Sequence, residues 1–243
     1  MSVLSFSLGI LLAAPLAATE TAGPAYRVAP AKAERAALLG ATDAGWAGAQ
    51  KVAWGPAPYE TRFRALWSDA GLFLRFDADD SSPWHTMTKR DEHLWEEEVV
   101  EIFLDVDRSG KNYAELEISP ANVVCDVLMI SAWPKKQGDL KWDLAGLETA
   151  VHTPKDASGR TTGWTATAFL PWSAFRSLPS AKTISLPPKA QDAWRFNVFR
   201  IKRPGGPKAP EKEVVEAAWS PVPGESFHVP EVFRDFVFAT QAE

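Results

Sequence analysis

Carboxylates crowd residues 91–107, where Asp91, Glu92, Glu96, Glu97, Glu98, Glu101, Asp105 and Asp107 surround Trp95. Side chains of this type support three chemistries. Hard oxygen ligands suit Ca²⁺, although the spacing is not that of an EF-hand loop, and a solvated acidic face is the alternative. A pair of carboxyl groups about 5–9 Å apart across a cleft can serve as the acid and nucleophile of a glycosidase; Glu101 and Glu117, on neighbouring strands, are the candidates. Carboxylates also accept hydrogen bonds from sugar hydroxyls without catalysing anything. A Trp beside them adds the flat apolar surface on which a ring-shaped ligand packs.

Other chemistries lack their motifs. The sequence has no glycine-rich phosphate loop, no G-x-S-x-G elbow, no H-E-x-x-H and no paired cysteines. His85, His93, His152 and His228 are scattered singly, so a histidine metal cage would have to be assembled by the fold. Cys125 is the single cysteine, which rules out an intrachain disulfide; its apolar surroundings read as a buried, inert thiol. With 26 Lys+Arg against 31 Asp+Glu and no basic run, the charge balance argues against nucleic acid or an anionic membrane as partner.

The elements that must position these groups are strands. In Val99–Asp105 the β-branched and aromatic residues alternate: Val100, Ile102, Leu104 and Val106 form one face, and Val99, Glu101, Phe103 and Asp105 the other. After the turn Asp107–Asn112 the chain returns through Tyr113–Ser119, with Ala114, Leu116 and Ile118 in the core and Tyr113, Glu115 and Glu117 opposite. Val123–Ile130 follows. In a meander Glu101, Glu117 and Asp126 would share one acidic sheet face. Thr61–Trp67 and Leu72–Ala78 flank Ser68-Asp69-Ala70-Gly71 as a hairpin, and further strands are expected at Gly163–Leu170, Trp194–Ile201 and near Phe233–Phe238. Short strands with turn signals, and no long helical periodicity, predict an all-β antiparallel two-sheet β-sandwich in a single domain.

Residues 1–18 contain an apolar run, Val3 to Leu12, followed by small residues, which predicts a signal peptide and a secreted or periplasmic protein; a buried N-terminal strand or helix is the alternative. Residues 19–31, rich in Ala, Thr, Pro and Gly, read as a linker or entry segment, leaving 32–243 for the sandwich. No other apolar run approaches the length of a membrane span. The expected state is a monomer.

These residues resemble a known family. Trp84, Lys89-Arg90-Asp91, Leu94-Trp95-Glu96-Glu97-Glu98-Val99-Val100-Glu101-Ile102-Phe103-Leu104-Asp105 and Tyr113-x-Glu115-Leu116-Glu117-Ile118-Ser119-Pro120 are similar to the family 9 carbohydrate-binding modules. Downstream, Gly163-Trp164, Leu170-Pro171-Trp172, Trp194-Arg195-Phe196-Asn197, Arg200, Trp219-Ser220 and Phe227-His228-Val229-Pro230 continue the match in order. The resemblance implies a β-sandwich that binds sugars, often at chain ends, between two aromatic side chains, with Ca²⁺ in a structural role. It assigns ligand binding to Trp95 as first aromatic, Glu101 as hydroxyl-binding carboxylate, Phe227 as second aromatic where sugar binders carry Trp, and Glu117 where they carry an arginine. Trp84, Asn197, Arg200 and His228 complete the implied set. The leading expectation is a non-catalytic carbohydrate-binding protein of polysaccharide utilisation. A saccharide-acting hydrolase or lyase is the second reading. Electron transfer through haem b, which related sandwiches hold with Met and His, is the third, with Met87, Met129 and the four histidines as its candidates.

Overall fold

The computed structural model describes residues 23–208 and 213–240; the leader expected at residues 1–18 lies outside them. The strands are β1 (Tyr26–Pro30), β2 (Lys51–Trp54), β3 (Thr61–Trp67), β4 (Gly71–Asp79), β5 (Val99–Asp105), β6 (Tyr113–Ile118) and β7 (Val124–Ser131). They continue as β8 (Gln137–Asp139), β9 (Glu148–His152), β10 (Gly163–Pro171), β11 (Ala193–Lys202), β12 (Val215–Ala218) and β13 (Arg234–Phe238). One short helix, α1 (Arg35–Leu38), and several 3-10 turns join them.

Two sheets form. The first runs β8-β7-β6-β5-β11-β13-β1, with β12 beside β11; the second runs β1-β3-β4-β10-β9, with β2 beside β3. Strand β1 belongs to both: Tyr26, Arg27 and Val28 pair with Phe236, Val237 and Phe238, and Ala29 and Pro30 pair with Leu66 and Trp67. Both of these pairings are parallel, and every other strand pairing among the described residues is antiparallel.

The reading of residues 19–31 as linker is therefore corrected over its described part. Tyr26 and Val28 are fully buried between the sheets, and the Tyr26 ring stacks on Phe236 at 5.7 Å. Its hydroxyl donates to the Gln50 carbonyl at 2.5 Å and accepts from the Ala65 amide at 2.7 Å, so one phenol ties β1 to β3 and to the chain before β2. Removing that hydroxyl leaves a buried amide without its acceptor. Tyr26→Phe is expected to lower unfolding free energy by about 1–3 kcal/mol, measured by urea denaturation; a loss within error would show the hydroxyl to be dispensable.

The main core fills the space between the sheets, with Val100, Ile102, Leu104, Ala114, Leu116 and Ile118 facing Phe63, Leu74, Phe76, Ala166 and Ala168. The alternation expected for β5 and β6 holds. Both strands are nonetheless buried along their whole length, because a second apolar cluster of Leu94, Val99, Phe103, Tyr113, Val127, Met129, Phe199 and Phe233 covers the outer face of the first sheet. A third, with Leu38, Trp46, Leu66, Phe73 and Phe169, covers the outer face of the second. Close approach explains two glycines. A Cβ on Gly71 would lie 2.4 Å from the Leu170 carbonyl oxygen, and one on Gly163 would lie 2.3 Å from that of Ala78, so each end of the β4/β10 pair needs a residue without a side chain.

Candidate functional site

The buried outer face of the first sheet is where the carboxylates go. Glu101 of β5 lies directly opposite Glu117 of β6, and Glu115 is the next outward residue along β6. Oxygens of Glu101, Glu115 and Glu117 come within 4.8 Å of one another. Glu117 is fully buried and Glu101 is 2 % exposed, yet among the described residues Glu101 Oε1 and both Glu117 oxygens have no hydrogen-bond partner outside the glutamate cluster. Burial is the main force on all three carboxyls and pushes them up, Glu115 to about 7 and the other two well above the usual range; the neighbouring glutamates push Glu101 and Glu117 further.

A cavity of about 290 Å³ opens over this cluster, walled by Trp95, Glu101, Glu115, Met129, Phe227 and His228, with Lys136, Glu216 and Glu225 at exposed positions of its lining. Trp95 is held by its neighbours. It occupies a single-turn 3-10 segment, Leu94–Glu96, that Leu94 anchors in the second apolar cluster, and the His93 ring stacks on it at 4.4 Å. Glu97, next in sequence, accepts the amides of Thr86 and Met87 at 2.8 and 3.2 Å, fastening the preceding loop to the start of β5. Phe227 stacks on Phe199 of β11 at 4.3 Å. His228 packs against Phe103 at 4.8 Å and meets the Tyr113 hydroxyl through Nδ1 at 2.9 Å. Burial, with a smaller push from Lys136, takes His228 down to about 3, so its imidazole is neutral at ordinary pH.

Of the residues the sequence singles out, Trp95, Glu101, Phe227 and His228 line this one cavity, and Glu117 lies against Glu101. Three others fall elsewhere. Trp84 is half-buried and donates through Nε1 to the Arg203 carbonyl at 2.7 Å. Asn197 is enclosed, its side chain spent on Ser220: Nδ2 donates to the Ser220 carbonyl at 2.8 Å and Oδ1 accepts the Ser220 amide at 2.9 Å. Arg200 pairs with Val100, so it points between the sheets. There its Nη2 meets Asp80 at 3.0 Å and Glu98 at 3.8 Å, its guanidinium lies 5.0 Å over the Trp164 ring, and Lys202 meets the same two carboxylates at 3.0 and 2.5 Å.

Asp126 also departs from expectation. It pairs with Leu116 rather than Glu117, so it faces away from the glutamates, with Cys125 in the place opposite Glu117. The Arg90 guanidinium bonds Asp126 and reaches Asp143 at 2.8 Å and Asp91 at 3.7 Å, while the Leu144 amide donates to Asp126 at 2.5 Å. This aspartate trio already has its cation, and such a donor set does not fit a further Ca²⁺. Haem ligation fits poorly too: Met129 and His228 share the cavity, but it is smaller than a porphyrin and His228 is engaged by Tyr113.

Glu115, Lys136, Glu216 and Glu225 belong to the cavity and were not singled out from the sequence. Glu115 carries a signal, its shared parity with Glu117. The others arrive from the loop before β8, from β12 and from the turn before Phe227, and nothing local marks them. A larger groove of about 720 Å³ on the outer face of the second sheet has charges that satisfy one another: Arg62 with Asp79, and Arg64 and Arg75 with Asp77.

An antiparallel β-sandwich with a small aromatic and acidic pocket on one outer sheet face defines the class. The sequence profile described as carbohydrate family 9 binding domain-like matches residues 40–197, and the chain belongs to that family. Solved structures with the same fold include the "putative carbohydrate-binding protein" of Bacteroides uniformis ATCC 8492, 15 % identical, with a TM-score of 0.64 over 89 % of this chain and 100 % of that one. A family 9 carbohydrate-binding module of Caldicellulosiruptor kristjanssonii in complex with cellotriose is 13 % identical, with a TM-score of 0.61 over 90 % of this chain and 96 % of that one. A family 9 carbohydrate-binding module of the same organism in complex with glucose gives 0.59 over 90 % of this chain and 98 % of that one at 13 % identity. Among curated proteins none matches the sequence. No helix among the described residues is long and apolar enough to cross a membrane.

Proposed function

We propose that the protein binds carbohydrate without catalysis, receiving one sugar ring, free or at a chain end, in the cavity on the outer face of the first sheet. One observation carries this reading: two aromatic side chains, Trp95 and Phe227, and a carboxylate, Glu101, converge on a single cavity of about 290 Å³. A pyranose offers such a cavity apolar C–H faces to pack on the rings and hydroxyls to donate to the carboxylate. Membership of the family supports it, as do the cellotriose and glucose held by the Caldicellulosiruptor modules. We read the leader as sending the protein to the secreted or periplasmic space, where polysaccharide breakdown would supply such ends.

A hydrogen bond to a neutral carboxyl contributes about 0.5–1.5 kcal/mol and an aromatic contact about 0.5–1.5 kcal/mol beyond area burial. After association costs these sum to micromolar affinity at best. Trp95→Ala is expected to weaken saccharide binding at least about tenfold by calorimetry, with the circular dichroism unchanged; equal affinity would sink the assignment. Glu101 and Glu117 sit side by side on one sheet face, so both approach a bound ring from the same side rather than flanking a bond to be cut. Release of reducing ends from a polysaccharide panel by purified protein would overturn the non-catalytic reading.

A further inference from the structure

The cavity is more acidic than a neutral sugar requires. Glu101 and Glu115 line it with Glu117 against them, Glu216 and Glu225 stand at its lining, and the opposing charge there is Lys136, exposed on the loop before β8. Cys125 and Tyr113, which also face the cluster, are held uncharged by burial, and His228 is neutral. Carboxylates whose oxygens lie within 4.8 Å of one another repel strongly when shielded from water. Three such groups out of water need protons or a cation. Among the cavity's lining residues, the buried Oε1 of Glu101 is an acceptor still unused.

We propose that the preferred ligand is a saccharide bearing a free, protonated amine, its ammonium set against Glu101 and Glu115, with the Glu117 carboxyl adjoining them. This rests on the carbohydrate-binding reading of the same cavity. An ammonium is all donor, with three N–H groups to set against carboxyls and no acceptor of its own. The walls suit an organic cation, because the aromatic side chains Trp95 and Phe227 line the cavity beside Glu101 and Glu115. A divalent ion asks for six or more oxygens, whereas this cavity surrounds its carboxyls with Val127, Met129, Leu140 and Ile201. Because burial holds protons on the cluster, arrival of an ammonium expels them, so binding releases protons and tightens as pH rises from 6 toward 7.

Calorimetry with full-length protein, with and without a chelator, should compare glucosamine and its fully deacetylated trimer with glucose, N-acetylglucosamine and cellotriose at pH 6 and 7. The expected result is glucosamine binding at least tenfold more tightly than glucose and N-acetylglucosamine at pH 7, with heats in two buffers reporting proton release. Glu117→Gln and Glu115→Gln should each cut that ratio to about twofold. Binding of glucose or cellotriose with no preference for the amine overturns this inference and leaves the carbohydrate-binding reading standing. Absence of binding to every sugar overturns both. Calcium binding alone, abolished by Glu117→Gln and with no preference for the amine, identifies the cluster as a metal site and overturns the inference.

Discussion

Arg200→Ala is expected to destabilise the protein by about 3–5 kcal/mol, the largest effect of any substitution considered, because it strips one cation from a buried four-charge cluster. Arg200 and Lys202 face Asp80 and Glu98, and all four side chains are at most 2 % exposed. Two positive and two negative charges balance; without Arg200 a net negative charge stays inside the sandwich. The guanidinium also donates to the Val99 and Ile201 carbonyls at 3.2 and 2.8 Å and covers Trp164, so its loss opens hydrogen bonds and a void together. Burial lowers Arg200 and raises Glu98 to about 7, while the opposite charges pull each back; the cluster is near balance rather than a reservoir of stability. Adding Asp80→Asn to Arg200→Ala restores neutrality and is expected to recover part of the loss, a coupling between contacting residues. Tryptophan-monitored urea denaturation of the single and double variants measures it. A loss under about 1 kcal/mol for the single variant would show that Lys202 alone holds both carboxylates.

Glu117→Gln is expected to do the opposite, stabilising the ligand-free protein at alkaline pH. The folded state holds the carboxyls of Glu101, Glu115 and Glu117 above their ordinary 4.5, so it retains protons that the unfolded chain has released. The stability tied to these groups is complete below about pH 4.5 and is lost as pH rises through their folded values, about 7 for Glu115. Wild-type protein is therefore expected to melt at progressively lower temperature from pH 5 to pH 8. A glutamine at 117 carries no charge, and its amide can donate to the adjacent carboxylates. The gain therefore grows as pH rises above about 4.5 and is read as a higher Tm for the variant at pH 8. At pH 4 the two proteins should melt together. Equal melting at pH 8 would mean that the cluster is already neutralised there by a bound cation.

Parity along single strands was the most legible part of this sequence. It separated the two faces of β5 and β6 and brought Glu101 and Glu117 onto one of them, and the family motifs added Trp95 and Phe227. The same parity was available for β11, where Trp194, Phe196 and Val198 face the core and Arg200 follows in step; the motif match overrode it. Asp126 needed the number of residues in the Pro120–Asn122 turn to be converted into a register, and a turn containing a left-handed Asn122 does that in a way composition does not show. Tyr26–Pro30 carried little pattern of its own. Its strand character comes from Phe236 and Leu66, partners that tertiary structure alone brings beside it. Lys136, Glu216 and Glu225 reach the cavity for the same kind of reason, through long-range pairing.

The parallel seam at β1 sets the order in which this protein can be completed. Its first half pairs with β13, so the first sheet is complete only when β13, the last strand among the described residues, is at hand. A nascent chain that has not yet made Arg234–Phe238 exposes an unpaired edge on β1 and another along the start of β11, the arrangement most open to association with foreign strands. The first and last strands of the fold thus act as a clasp. Synthesis from one end to the other leaves the clasp open until β13 has been made.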